Sequence, residues 1–258
     1  MAIPSIFISH GAPDLPIRDG SASRFLQQLG HSLPKPKAIL VISAHWNTFY
    51  PTVSTAIRPR TICDFSGFPT ALYQLPYPAP GAPNLGHRVM ELLTNAGIRC
   101  ETNSDRGLDH GAWTPLILAY PQADIPVTQL SIQYNSSPRE HFRLGQALRS
   151  LRDEDVLILA SGGATHNLWA FGDNYDAPPP MWVQKFDHWL AQTLINQDIE
   201  ALLNYRHLAP YAIDNHPTEE HLLPLFVALG AGDEKTTPNQ LHSSYTYGVF
   251  SMAAYAFA

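Results

Sequence analysis

Short apolar-rich runs without a single charge recur along this chain, at Ser5-Ile6-Phe7-Ile8, Ala38-Ile39-Leu40-Val41-Ile42, Pro126–Ile132 and Val156–Ala160. Runs of that length are too short for buried helices and read as strands covered on both faces. Between and after them lie stretches with apolar residues at helical spacing: Leu85–Ala96, halted by Gly97, then Glu140–Leu151, Trp182–Ile195 and Thr218–Leu229. The last has Pro217 near its start and Gly230 just past its end, the usual asymmetry of helix termini. Pro224 inside it predicts a kink or a later start. Strands alternating with helices predict an α/β fold, a single domain over residues 1–258 with a central mixed β-sheet covered by helices. Strand order does not follow from this pattern.

A length of 258 residues suffices for one substantial core. With 45 % hydrophobic and 15 % charged residues, the chain is globular rather than disordered. A net charge of -6 argues against nucleic acid as a partner, because phosphate binding wants a basic face. Cys63 and Cys100 form no CxxC pair, which fits a reducing compartment. The first residues lack the basic start and long apolar core of a secretory signal, and no apolar run is long enough to span a bilayer. These features predict a cytoplasmic protein with no membrane partner.

Histidine is over-represented, with 12 against 16 lysines and arginines. Four of them share one setting, just after a predicted strand or at a predicted helix start. His10 follows Ile6-Phe7-Ile8-Ser9, and His45 follows Val41-Ile42-Ser43-Ala44. His166 follows Leu159-Ala160-Ser161-Gly162-Gly163-Ala164-Thr165, a glycine turn at a strand end. His221 falls in the first turn of the helix predicted to open near Thr218, where the imidazolium form is disfavoured. Sites in α/β proteins form at the carboxyl ends of strands. Taken singly, each of these histidines has an ordinary explanation as a loop residue bonded to backbone. There is no HExxH, CxxC or GxSxG motif. A facial triad assembled from distant loops, with open positions, is nonetheless normal for non-haem iron. His110, between Asp109 and Gly111, is either an active-site residue or part of a simple turn. His216 could equally cap a helix, and His31, His87, His141, His188, His207 and His242 lie in helix-like or polar contexts without catalytic signal.

The ordered segments Ser9-His10-Gly11-Ala12-Pro13, Ser43-Ala44-His45-Trp46, Asp64-Phe65-Ser66-Gly67-Phe68-Pro69, Tyr77-Pro78-Ala79-Pro80-Gly81, Gly107–Trp113, Ala160-Ser161-Gly162, His166-Asn167-Leu168 and His216–Leu225 are together distinctive. Over nearly its whole length the chain resembles the class III extradiol ring-cleavage dioxygenases, and within them the DOPA 4,5-dioxygenase group. The resemblance implies that His10, His45 and His221 hold a metal and that His166 is the catalytic acid/base. It implies that His110 helps to bind or orient oxygen and substrate. Relatives in the wider superfamily use two histidines and a glutamate, so Glu220 competes with His221 as third ligand; the closer likeness to the DOPA-type group favours His221. The implied metal is Fe(II), with Zn(II) an alternative occupant.

The implied reaction opens a catechol ring with O₂ and requires no organic cofactor. An imidazole titrates where it can both remove and return a catechol proton. Two other readings share these residues: a zinc-dependent hydrolase with His166 as base, and a non-enzymatic Memo-like binding protein. Phe65, Phe68, Tyr73, Tyr77, Trp113 and Trp169 form either an aromatic pocket or ordinary core. These residues specify neither the individual catechol nor an oligomeric state.

Overall fold

In the computed structural model, which describes residues 2–258, the apolar runs become the middle of one eight-stranded sheet. Its strands are β1 (Ser5–Ser9), β2 (Ala38–Thr48), β3 (Thr52–Ser54), β4 (Glu101–Asn103), β5 (Val127–Gln133), β6 (Val156–Gly162), β7 (Asn239–His242) and, after a small hairpin of β8 (Tyr245–Thr246) and β9 (Phe250–Ser251), β10 (Ala254–Phe257). The order is β4-β3-β5-β2-β6-β1-β10-β7. Strands β5, β2, β6 and β1 run parallel, and antiparallel neighbours flank them at β3 and β10. The sheet is therefore mixed, as the sequence predicts.

Side chains on the parallel strands alternate between two cores, the period of two expected of a pleated sheet. Phe7, Leu40, Ile42 and Ile158 face one way, towards helices α2 (Pro83–Asn95), α4 (Pro138–Leu148) and α5 (Met181–Ile195). Ile6, Ile8, Ile39, Val41 and Leu159 face the other, towards α1 (Ser21–Ser32) and α3 (His110–Ala119). Three short helices, α6 (Ile199–Leu203), α7 (Tyr205–Leu208) and α8 (Ala212–Asn215), lead into α9 (Leu223–Ala231), which packs on α4 and β6. Among the described residues no helix is long and apolar enough to cross a membrane.

Several boundaries differ from those read off the sequence. The helix predicted over Thr218–Leu229 starts only at Leu223, with Pro224 in its first turn. Proline has no N–H to donate and a fixed φ, so it fits an opening turn far better than an interior. His221 accordingly sits in the turn before α9 and not in its first turn. The helix predicted over Glu140–Leu151 is α4, opened by a Ser137–Glu140 capping box and succeeded by a tighter turn from Arg149 to Glu154. His110 lies in no loop; it is the first residue of α3, whose N-cap is Asp109. That helix is buried almost all round, so it lacks the one-sided apolar stripe by which helices are found.

Candidate metal centre

The carboxyl ends of β1, β6 and β2 lie side by side, and the histidines gather there. His10 leaves β1 directly. His45 lies within β2 where the strand bulges: Ile42 faces Leu130 and Asn47 faces Ile132, so the chain loops out between them. A bulge re-aims side chains next to a site. Gly162 ends β6 beneath His221, and a Cβ there would lie 2.1 Å from the His221 carbonyl oxygen. Only glycine permits that approach, which the Gly163 amide completes by donating to His221 O at 2.8 Å.

The Nε2 atoms of His10 and His45 stand 3.0 Å apart, and those of His45 and His221 3.3 Å apart. Nitrogens this close cannot all carry protons, so they suit a shared cation. Nitrogens from all three rings fall within 4.8 Å of one another. The opposite nitrogens explain the orientation. The hydroxyl of Ser161 donates to the Gly111 carbonyl, so its lone pairs accept from His10 Nδ1 at 3.0 Å. That carbonyl is free because Pro115, one turn on in α3, has no N–H to offer it. Glu220 accepts from His221 Nδ1 at 2.9 Å. In both rings the proton is held on Nδ1, which leaves Nε2 as a lone pair facing its neighbours.

Burial reinforces this. It holds His10 and His221 well below the ordinary imidazole range, and the neighbouring rings add to the effect. His45 is held at about 4, by burial first and His110 second, although Asp109 and Asp64 pull the other way. Neutral imidazoles are the form that binds metal.

His166 lies flat on His221 with ring centroids 3.4 Å apart. Burial, followed by the influence of His216, depresses it to about 3. Its loop is no free glycine turn. The Ala164 amide donates to Ser9 Oγ, the His166 amide to Asn215 O, and Thr165 Oγ1 to Val249 O. His216, fully buried, donates from Nε2 to Ala164 O at 2.9 Å.

His110 donates from Nδ1 to Asp64 Oδ1 at 2.9 Å, and its amide donates to the same oxygen. Burial alone would push Asp64 up, but these bonds hold it at about 2. Asp109 has its own task. It is fully buried, caps α3, and accepts from Ser43, Gln129 and Arg106. Gly111 lets α3 press on β2, since a Cβ there would lie 2.5 Å from Ser43 Oγ and 3.0 Å from His45 Cδ2.

His10, His45, His110, His166 and His221 line a cavity of about 290 Å³, with Phe65, Phe68, Leu168, Phe171 and Phe250 forming much of the wall. A dry cavity of roughly 150 Å³ accepts benzene, so this one has room for a single substituted ring. Of the aromatic candidates in the sequence, Phe65 and Phe68 are in the wall; Tyr77 and Trp113 are core, Tyr73 is exposed, and Trp169 is 89 % exposed. Phe171, Phe250 and Asp64 escaped notice as site residues. Asp64 had a signal, the segment Asp64–Pro69 itself, whereas Phe171 and Phe250 sit in runs with no distinguishing pattern.

The family model described as "Catalytic LigB subunit of aromatic ring-opening dioxygenase" matches residues 4–258. The 4,5-DOPA dioxygenase extradiol of Beta vulgaris is 45 % identical, over 98 % of this chain and 96 % of its own. A protein of the same name from Escherichia coli (strain K12) is 41 % identical, over 90 % of this chain and 86 % of its own. Among solved structures, an uncharacterized protein from Escherichia coli K12 superposes with a TM-score of 0.82 at 35 % identity, covering 99 % of this chain and 100 % of that one.

Proposed function

The chain belongs to the LigB family of aromatic ring-opening dioxygenases, within its extradiol DOPA dioxygenase group, and on that premise we propose that it opens a catechol ring with O₂ at a metal held by His10, His45 and His221. The observation that carries this reading is the meeting of three neutral Nε2 atoms on the wall of an aromatic-lined cavity that holds two further histidines.

The donor set fits a divalent transition metal. Three imidazoles, two of them with anchored Nδ1–H groups, suit ferrous iron or zinc and leave coordination positions open. We favour Fe(II), because ring opening with O₂ needs a redox-active ion; Zn(II) fits the same nitrogens. When bound, such an ion supplies a common centre for catechol and O₂. Glu220 supports His221 from behind, and His221 is the third ligand in this reading.

His166 is the acid/base. It lies on the cavity wall, and among the described residues no side-chain hydrogen bond occupies its ring nitrogens, so it can take a proton from a catechol hydroxyl and return it later. His110, its Nδ1–H fixed on Asp64, keeps Nε2 available to substrate or oxygen. Phe65, Phe68, Phe171 and Phe250 hold the ring and limit water. Cys63 and Cys100 are both unpaired, consistent with a reducing, cytoplasmic setting.

The test is anaerobic loading with Fe(II) followed by a panel of catechols and O₂. We expect one O₂ consumed per ring and a yellow semialdehyde product. No ring opening across the panel, with iron occupancy confirmed, would return the protein to the hydrolase or Memo-like readings.

A further inference from the structure

The wall of the cavity is one-sided in charge. Among the described residues that line it, Asp64 is the only carboxylate and there is no lysine or arginine. Arg18, a short way beyond the wall residue Pro13, is bonded to Asp14 and Tyr247. Arg106, just before His110, is bonded to buried Asp109. Neither is a spare cation.

Asp64 is also half used. Its Oδ1 accepts both bonds from His110. Its Oδ2 accepts none among the described residues and lies 3.7 Å from His45 Nδ1, too far for a hydrogen bond. The side chain is 25 % exposed, and a carboxylate that accepts two N–H bonds is held in its ionised form. An ionised oxygen with free lone pairs, on a wall whose other side chains are neutral imidazoles and apolar groups, attracts an ammonium group. With the ring oxygens directed at the metal, a side-chain carboxylate at the same wall would lose water, meet no lysine or arginine and be repelled by Asp64.

Resting on the reading of the site as a catechol-opening centre, we propose that the cavity selects substrates by charge. It takes catechols whose side chain bears an ammonium group or no charge, it disfavours those bearing only a carboxylate, and Asp64 is the residue that sets the preference.

Three catechols with matched short side chains test this: dopamine, ethylcatechol and dihydroxyphenylacetate. Their affinities are measured calorimetrically without O₂ on the metal-loaded protein, for the wild type and for Asp64→Asn. In the wild type, dihydroxyphenylacetate should bind roughly tenfold or more weakly than dopamine, the usual worth of a hydrogen bond to a charged group. In Asp64→Asn that ratio should shrink by a similar factor, with ethylcatechol as the uncharged reference. A merely structural role would weaken all three alike and leave the ratio unchanged, which overturns the proposal. So does equal binding of ethylcatechol and dihydroxyphenylacetate by the wild type. A second measurement needs no variant: added salt should weaken dopamine and spare ethylcatechol, and an unchanged dopamine affinity counts against Asp64. Turnover recorded in parallel separates the two ideas. Charge-ordered binding without ring opening refutes the dioxygenase reading alone, whereas ring opening without charge order refutes this proposal alone.

Discussion

The imidazole of His166 lies against that of His221, with ring centroids 3.4 Å apart and planes within 8° of parallel. The group read as acid/base therefore touches a group read as a metal ligand without sharing its position, since His10, His45 and His221 are the three that meet through Nε2. This contact makes the roles separable by substitution.

His166→Ala should retain metal and lose turnover by on the order of 10² to 10⁴, the usual contribution of a positioned acid/base group. His45→Ala should instead lose the metal itself. Metal content and turnover measured on both variants decide the matter. Loss of metal in His166→Ala would make it a ligand; near-normal turnover with metal bound would pass the proton transfer to His110.

Glu220 and His221 are distinguished in the same way. Glu220 holds the His221 Nδ1 proton at 2.9 Å and also accepts from Thr218. Glu220→Gln should weaken metal affinity about 10- to 100-fold, the usual effect of removing a group that orients a ligand. His221→Ala should abolish tight binding. The reverse ranking in a metal titration would assign the third bond to Glu220.

Ser161 carries a prediction that has no counterpart in the sequence motifs. Its hydroxyl links the Gly111 carbonyl, left free by Pro115, to His10 Nδ1. Ser161→Ala should release that tautomer and lower metal affinity by about 10- to 100-fold with the fold intact. Unchanged affinity by competition with a chelator would show that the ring is held by packing alone.

The metal-free protein should become less stable in mild acid, with His216 as one identifiable source. Burial, the main influence, holds it at about 4 against an ordinary 6.5, and a protonated Nδ1 would find no acceptor. Unfolding restores the ordinary value, so between these two values the unfolded chain binds more protons. The contribution is complete above pH 6.5 and is lost as pH falls towards 4. Its size is on the order of 3 kcal/mol. Urea unfolding at a series of pH values should show the loss, and His216→Gln should make it shallower. An identical slope in the variant would mean that other buried histidines account for it.

Much of this was legible without coordinates. The four uncharged apolar runs became the four parallel strands because burial on both faces leaves no place for charge. His10, His45 and His166 could be singled out because strand ends are marked locally, by a change from apolar to glycine-, serine- and alanine-rich residues. The start of α9 is ambiguous in the sequence because Pro217 and Pro224 are both plausible openers, and packing against α4 and β6 selects the second. The outer strands β3, β4 and β7 are not visible in the sequence, being short and partly polar, with no run to betray them. What the tertiary structure alone decided is the order β5-β2-β6-β1, which sets the ends carrying His10 and His45 on either side of β6. It also decided the partners of each ring: Ser161 for His10, Glu220 for His221, Asp64 for His110. Those bonds fix which nitrogen carries the proton, and they join residues as far as 151 positions apart. Local sequence chemistry can state that a histidine stands at a strand end, but its tautomer depends on a neighbour that only the folded sheet supplies.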